Sequence, residues 1–237
     1  MKKLLLTCAA CVLLAGCSSS SRTTLEQFTE FTGGQMMGDA TSFYWVTEKL
    51  SGPQKASDFV LVGEYGWYQS EYRWDEGTLR ELIRQGEQLD SKLGLVPYRI
   101  HVRFNVDGEA VYQQFRLNSK VLPIQADQLQ RYQSEADVLV KKSKQQSRDG
   151  LELIQGYWDG ETFETCTGEE FSTLEFNQTL PGFVISRLAS VDSYVAFLGK
   201  KSSKRLEVDT LLLLDEDDRD CVTRPVLIED EQIDKRR

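Results

Sequence analysis

The chain is short of the residues that carry most chemistry. It has one histidine, His101, which excludes a histidine metal cluster and leaves a single imidazole for any triad. No serine sits in a G-x-S-x-G elbow, and there is no G-x-G-x-x-G or Walker A loop for a phosphate. Basic residues are also scarce: 28 Lys and Arg stand against 37 Asp and Glu, a formal charge of −9. Phosphate neutralisation needs clustered cations, so a nucleic-acid binder is disfavoured, and by the same reasoning so is a binder of anionic membrane surfaces. Beyond the first few residues no apolar run approaches the ~20 needed to cross a bilayer as a helix. What remains, 27% charged and 40% hydrophobic residues, is the composition of a folded, water-soluble domain.

The most specific signal is at the start. Lys2 and Lys3 precede an uncharged apolar run, Leu4 to Leu14, and Leu14-Ala15-Gly16-Cys17 closes it with small residues and a cysteine. This is the layout of a secretory signal. Its last four residues resemble the lipobox of bacterial lipoproteins, which implies cleavage before Cys17 and acylation of that residue. Two or more acyl chains make a stable anchor where one is marginal. Ser18 in place of Asp, read by the same resemblance, implies the outer membrane, with the protein facing the periplasm. Of 237 residues, removal of the first 16 leaves 221, and loss of Lys2 and Lys3 takes the charge from −9 to −11.

Cysteine usage agrees with an oxidising compartment. Cys8 and Cys11 leave with the signal and Cys17 is taken by lipid. Cys166 and Cys221 remain, with one possible pairing. A bridge closes a loop of about 55 residues, worth roughly 4 kcal/mol in the chain-entropy model. The alternative is two separate thiols. Their spacing excludes a C-x-x-C redox site, and a structural zinc site lacks two ligands.

The organisation reads as six segments: signal peptide 1–16, anchor and tether 17–40, a β-rich half 41–124, a connecting helix 125–148, a second β-rich half 149–228, and a charged tail 229–237. Leu25, Phe28 and Phe31 at spacing three indicate a short helix ending at Gly33-Gly34. From Thr41 the period changes to two, with strands at 42–46, 59–62 and 67–74 and a loop at Asp75-Glu76-Gly77. The segment 78–89 reads as a strand.

Asp107-Gly108 signals a two-residue hairpin. It pairs Phe104 with Val111, Val102 with Gln113, Ile100 with Phe115 and Tyr98 with Leu117, an apolar face. Leu129, Tyr132, Ala136 and Leu139 form the stripe of an amphipathic helix over 125–147. Asp159-Gly160 signals a second tight hairpin pairing Leu153 with Cys166 and Ile154 with Thr165. Segments 171–176, 183–188, 193–198 and 205–214 read as strands. The fold class is therefore mainly β with some α. Two antiparallel halves, sandwich or partly open barrel, flank one long helix, and the strand count and length of the second are those of a small OB-like barrel.

Two surfaces are candidates for binding. On the polar side of the 98–118 hairpin Arg99, His101, Arg103 and Arg116 gather, a cationic patch for a carboxylate or phosphate or else an acid-paired, solvated face. Trp67, Trp74 and Trp158 with Tyr65, Tyr68 and Tyr72 offer either a stacking surface or core and cross-strand packing. Asp215 to Asp218 and Asp220 lack the glycine and terminal Glu of a calcium loop, so they read as a solvated turn.

The lipobox, the Asp-Gly hairpins and Gly156-Tyr157-Trp158-Asp159-Gly160 together resemble the uncharacterised gamma-proteobacterial envelope lipoproteins of the YjaH type, a family that implies no activity. No cofactor or metal is called for. The partners expected are the membrane, through the lipid, and envelope proteins. The leading reading is a non-enzymatic envelope interaction or structural protein. A small-ligand or anion binder and a disulfide-dependent stress sensor are the alternatives.

Overall fold

The computed structural model describes residues 28–229 except 51 and 178. The signal segment, Cys17, the polar tether to residue 27 and most of the charged tail lie outside the described residues.

The first lobe is an eight-stranded antiparallel meander in chain order: β1 (Thr29–Met37), β2 (Ala40–Lys49), β3 (Gly52–Val62), β4 (Gly66–Asp75), β5 (Thr78–Asp90), β6 (Gly94–Phe104), β7 (Ala110–Leu117) and β8 (Lys120–Leu122). Helix α1 (Ala126–Arg148) follows and lies on one face of it. Its N-terminus is closed by a capping box between Gln125 and Gln128. Tyr132, Ala136, Leu139 and Val140 pack against Tyr44, Tyr72, Trp74, Leu82, Ile100 and Val102 of the sheet.

β1 corrects the expected helix ending at Gly33-Gly34: residues 29–37 form a strand paired with β2. Gly33 and Gly34 do not cap a helix. Gly33 lets α1 approach the strand, and Gly34 makes room for β2 and for Leu212 of the second lobe. A Cβ on Gly33 would stand 2.3 Å from Gln146 Oε1, and one on Gly34 2.6 Å from the Ser42 carbonyl oxygen. Gln146 fills the space by accepting from the Gly34 N–H at 3.1 Å and donating to its carbonyl at 2.7 Å.

The 98–118 hairpin keeps the expected register from Tyr98↔Leu117 to Arg103↔Tyr112. A bulge then pairs Phe104 with Ala110, not Val111, because Asn105 builds a wider loop. Asn105 Oδ1 accepts from the N–H groups of Asp107 (3.0 Å) and Glu109 (2.8 Å), an Asx turn that displaces the two-residue loop.

The second lobe contains β9 (Glu152–Trp158), β10 (Phe163–Thr165), β11 (Glu170–Phe171), β12 (Thr173–Phe176), α2 (Gly182–Ser190), β13 (Ser193–Ser202) and β14 (Arg205–Glu216). Its sheet order is β11-β10-β9-β13-β14-β12, with β12 parallel to β14. The two edge strands β11 and β12 are separated in sequence by Ser172 alone. The sheet must therefore curl until its edges meet, giving a nearly closed barrel. With β11 and β12 counted as one bent strand, the connectivity is 1-2-3-helix-4-5 and the order 3-2-1-4-5-3, the arrangement of an OB-like barrel.

Two expectations in this lobe are corrected. Residues 182–190 form a helix rather than a strand, and its buried residues, Val184 and Leu188, are four apart as one helical face requires. The 158–163 hairpin pairs Trp158 with Phe163 and Gly156 with Thr165, two residues from the expected register. Asp159 Oδ1 caps a four-residue loop by accepting from the Glu161 (2.8 Å) and Thr162 (2.7 Å) N–H groups. A shift of two leaves every side chain on its expected face.

The lobes pack sheet to barrel on the side of the meander opposite α1. Phe43 and Trp45 of β2 meet Tyr194, Ala196 and Leu198 of β13 and Leu212 of β14. β2 and β13 are thus buried on both faces, which is why Ser193–Gly199 is apolar without alternation. Val195 and Phe197 point the other way, into the barrel with Phe163, Leu206 and Val208.

Candidate functional site

The chain offers three places to look. The first is the cationic patch anticipated from sequence, on the face of the meander away from α1. Its members are not gathered into one pocket. Arg99 and Arg116 are direct cross-strand neighbours. They line a shallow cleft of about 380 Å³ with Trp67, Pro97, Tyr98 and Asn118, whereas His101 and Arg103 lie outside it. β5 supplies polar partners along the same face. His101 Nε2 is 2.7 Å from Glu81 Oε1 and packs edge-on against Tyr112, Arg99 donates to Gln85, and Glu87 Oε2 accepts from Trp67 Nε1 at 3.1 Å.

The second is a buried polar cluster that sequence reasoning missed. Leu82 and Arg84 of β5 share the face turned to α1, so the alternation carries Arg84 into the core. Its Nε donates to Ser70 Oγ at 2.8 Å, and Nη2 donates to Tyr72 OH at 2.9 Å and Glu135 Oε2 at 2.8 Å. Tyr72 OH donates to Asp58 Oδ2 at 3.0 Å. The guanidinium lies over the Tyr68 ring, 4.1 Å from its centroid, and 5.2 Å from that of Tyr132.

Burial pushes the Asp58 carboxyl above the usual carboxylate range, against the pull of Arg84. Burial alone would lower the Arg84 pKa, but Tyr72, Tyr68, Asp58 and Glu135 together hold it well above its ordinary value. Burial likewise raises Tyr44 and Tyr98 to about 12. Arg84 is therefore charged and Tyr44, Tyr68, Tyr72 and Tyr98 neutral at physiological pH. Asp58 Oδ1 has no hydrogen-bond partner. The cluster joins three strands, β3, β4 and β5, to the helix, and Glu135 is its half-buried member on the helix side. It is arranged to hold α1 on the sheet.

The third is the joint between the lobes. Cys166, just past β10, is disulfide-bonded to Cys221, with Cα atoms 6.1 Å apart. Cys166 is exposed and Cys221 half-buried. From Cys221 the chain leaves the barrel as a strap. Gln155 brackets Val222, donating to its carbonyl and accepting from its N–H, both at 3.0 Å. The strap then crosses to the meander. Ser57 Oγ donates to the Pro225 carbonyl at 2.9 Å, and buried Glu71 accepts from the N–H groups of Leu227 (2.5 Å) and Ile228 (2.7 Å). Residues 225–228 thus dock on the first lobe.

The aromatic candidates divide. Tyr72 and Trp74 are core, Trp67 and Trp158 are half-buried, and Tyr65 is exposed. Trp158 and Tyr157 line a cleft of about 470 Å³ in the second lobe with Asp159, Glu164, Glu170 and Asp217. Among the described residues no group of three or more His, Cys, Asp or Glu side chains is placed to hold a metal ion.

Fold and joint together define a two-lobed β protein, a helix-backed meander strapped to an OB-like barrel. The profile of a family described as "Protein of unknown function (DUF1481)" matches residues 32–226, so both lobes and most of the strap fall within it, and the chain belongs to that family. Searches for similar curated proteins and for similar solved structures give no match.

Proposed function

We propose that this protein is a non-enzymatic component of the bacterial cell envelope, fastened through lipid on Cys17 to the periplasmic face of the outer membrane, where its lobes contact other envelope proteins. The observation that carries the reading is the N-terminal pattern: two lysines, an uncharged apolar run and Leu14-Ala15-Gly16-Cys17. The Cys166–Cys221 bridge supports it, because such bonds persist in oxidising compartments. So does the distribution of buried polar groups, which brace α1 and the strap. The test is fractionation of cells expressing the wild type and Cys17→Ser. The account predicts wild type in the outer-membrane fraction and the variant released or unprocessed. A wild type recovered as a soluble protein would end it.

A second reading has one specific observation behind it. The exposed Cys166 belongs to the bridge at the root of the strap, so reduction would loosen the hold of one lobe on the other. A redox titration followed by hydrogen exchange at residues 222–228 tests this sensor role. Protection that stays constant across the transition would eliminate it.

A further inference from the structure

The tether enters the fold at one corner. Thr29 begins β1 opposite Glu48 of β2, and Glu48 faces Pro53 of β3. Lys144 of α1 reaches the same corner and pairs with Glu48. Leu50, in the turn between β2 and β3, is 94% exposed there. From Cys17 to residue 28 the chain spans at most about 40 Å, so a lipid on Cys17 keeps this corner near the bilayer.

A groove of about 580 Å³ opens beside that corner, between the last turns of α1 and Pro53. Its cations are spaced along the helix. Asp137, Lys141, Lys144 and Arg148 follow at intervals of four, three and four, one stripe, with Lys142 on the neighbouring row. Asp137 is the only carboxylate in the lining. Lys141, Lys142 and Arg148 are exposed and make no ion pair or hydrogen bond within the described residues. Val138, itself exposed, together with Val140 and Pro53 makes the apolar part of the wall. Cations on flexible stems above an apolar wall match an amphiphile whose anionic head adjoins its acyl region. The net charge of −9 conceals this, because four cations and one carboxylate line the groove.

We propose that this groove docks onto an anionic phospholipid surface, with Lys141, Lys142 and Arg148 on the phosphates and Leu50 and Val138 against the glycerol–acyl boundary. The inference rests on the lipoprotein reading only for the nearness of a bilayer. The orientation it gives is one in which the α1 corner faces the membrane and the barrel is free for partners.

The test uses the mature chain, residues 17–237 carrying Cys17→Ser, which has neither the apolar signal segment nor an acyl anchor, so that the groove is measured alone. Flotation with vesicles of phosphatidylethanolamine mixed with phosphatidylglycerol is compared with vesicles of phosphatidylcholine alone. The expected result is binding to the first only, weakened roughly tenfold or more by Lys141→Glu with Lys142→Glu. Lys92→Glu, in the turn between β5 and β6, is expected to leave it unchanged. Equal binding to both vesicles, no effect of the double substitution, or full displacement by tail-less glycerophosphoglycerol at equal phosphate would each overturn the proposal. Failure of the anchor reading is separately visible, as native protein with an unacylated amino terminus.

Discussion

The two lobes solve the same problem by opposite means. In the meander every strand pairs with its sequence neighbour, so its hydrogen bonds are local and its order is the order of the chain. What it lacks is a second apolar layer, which α1 supplies at the cost of burying Arg84 and Asp58 between helix and sheet. In the barrel β9 pairs with β13 across α2, and β12 runs parallel to β14. Its core is apolar and self-sufficient, Phe163, Phe197, Leu206 and Val208 all being fully buried, but its closure is non-local and is stapled by Cys166–Cys221. The difference teaches where each lobe is vulnerable: the first at its polar brace, the second at its covalent staple.

The largest expected effect breaks the staple. Cys166→Ala with Cys221→Ala removes a 55-residue loop constraint, about 4 kcal/mol in the chain-entropy model. Hydrogen exchange is expected to show the loss in β10 and residues 222–228, with β4 to β6 keeping their protection. Uniform loss would mean that the lobes do not differ in this way. Next is the brace: Arg84→Ala leaves Asp58 and Glu135 without their cation and is expected to cost about 3 kcal/mol in urea denaturation, with α1 exchanging first. A change under 1 kcal/mol would remove the brace from the account.

Smaller effects sharpen the comparison. Glu71→Ala strips two strap N–H groups of their acceptor and is expected to cost about 2 kcal/mol, with new protease cuts between 222 and 228. Asp58→Asn addresses pH. Burial raises the folded carboxyl above its ordinary 3.8, so between that value and the raised one the native state keeps a proton that the unfolded chain has lost. Stability therefore falls as pH rises through the window. The asparagine variant, which still accepts from Tyr72, is expected to lose that slope. An unchanged slope in urea midpoints would contradict it. The smallest effect is that of Lys141→Glu with Lys142→Glu, both exposed, within about 0.5 kcal/mol of wild type.

How much of this was legible in the sequence follows from which forces are local. Strands β2 to β7 of the meander and the face of α1 came through because apolar period is set by burial on one side. The OB-like character of the second half also came through, from strand count and glycine turns. Three features did not. Gly33-Gly34 looked like a helix stop because the partner that needs them, Gln146, lies 112 residues away. Val184 and Ile185 are β-branched, but their neighbours bury a helical face. Loop widths at Asn105 and Asp159 depended on side chains bonding to backbone N–H groups, a local effect hidden by the stronger Asp-Gly signal.

Of the site residues, Cys166 and Cys221 were anticipated as a pair. Arg84 was not, because a charged residue in a strand reads as solvent-facing unless the phase set by Leu82 is followed through. The anticipated patch drew its four cations from a register that is correct. Sequence did not reveal that Glu81 would engage His101 and that only Arg99 and Arg116 would share a cleft.

The measurement that bears most directly on the account is mass spectrometry of the amino-terminal peptide of the native protein, isolated from membranes. A peptide beginning at Cys17 and carrying acyl chains is the predicted result. One that begins elsewhere, or begins at Cys17 with a free, unmodified amine and thiol, would contradict it.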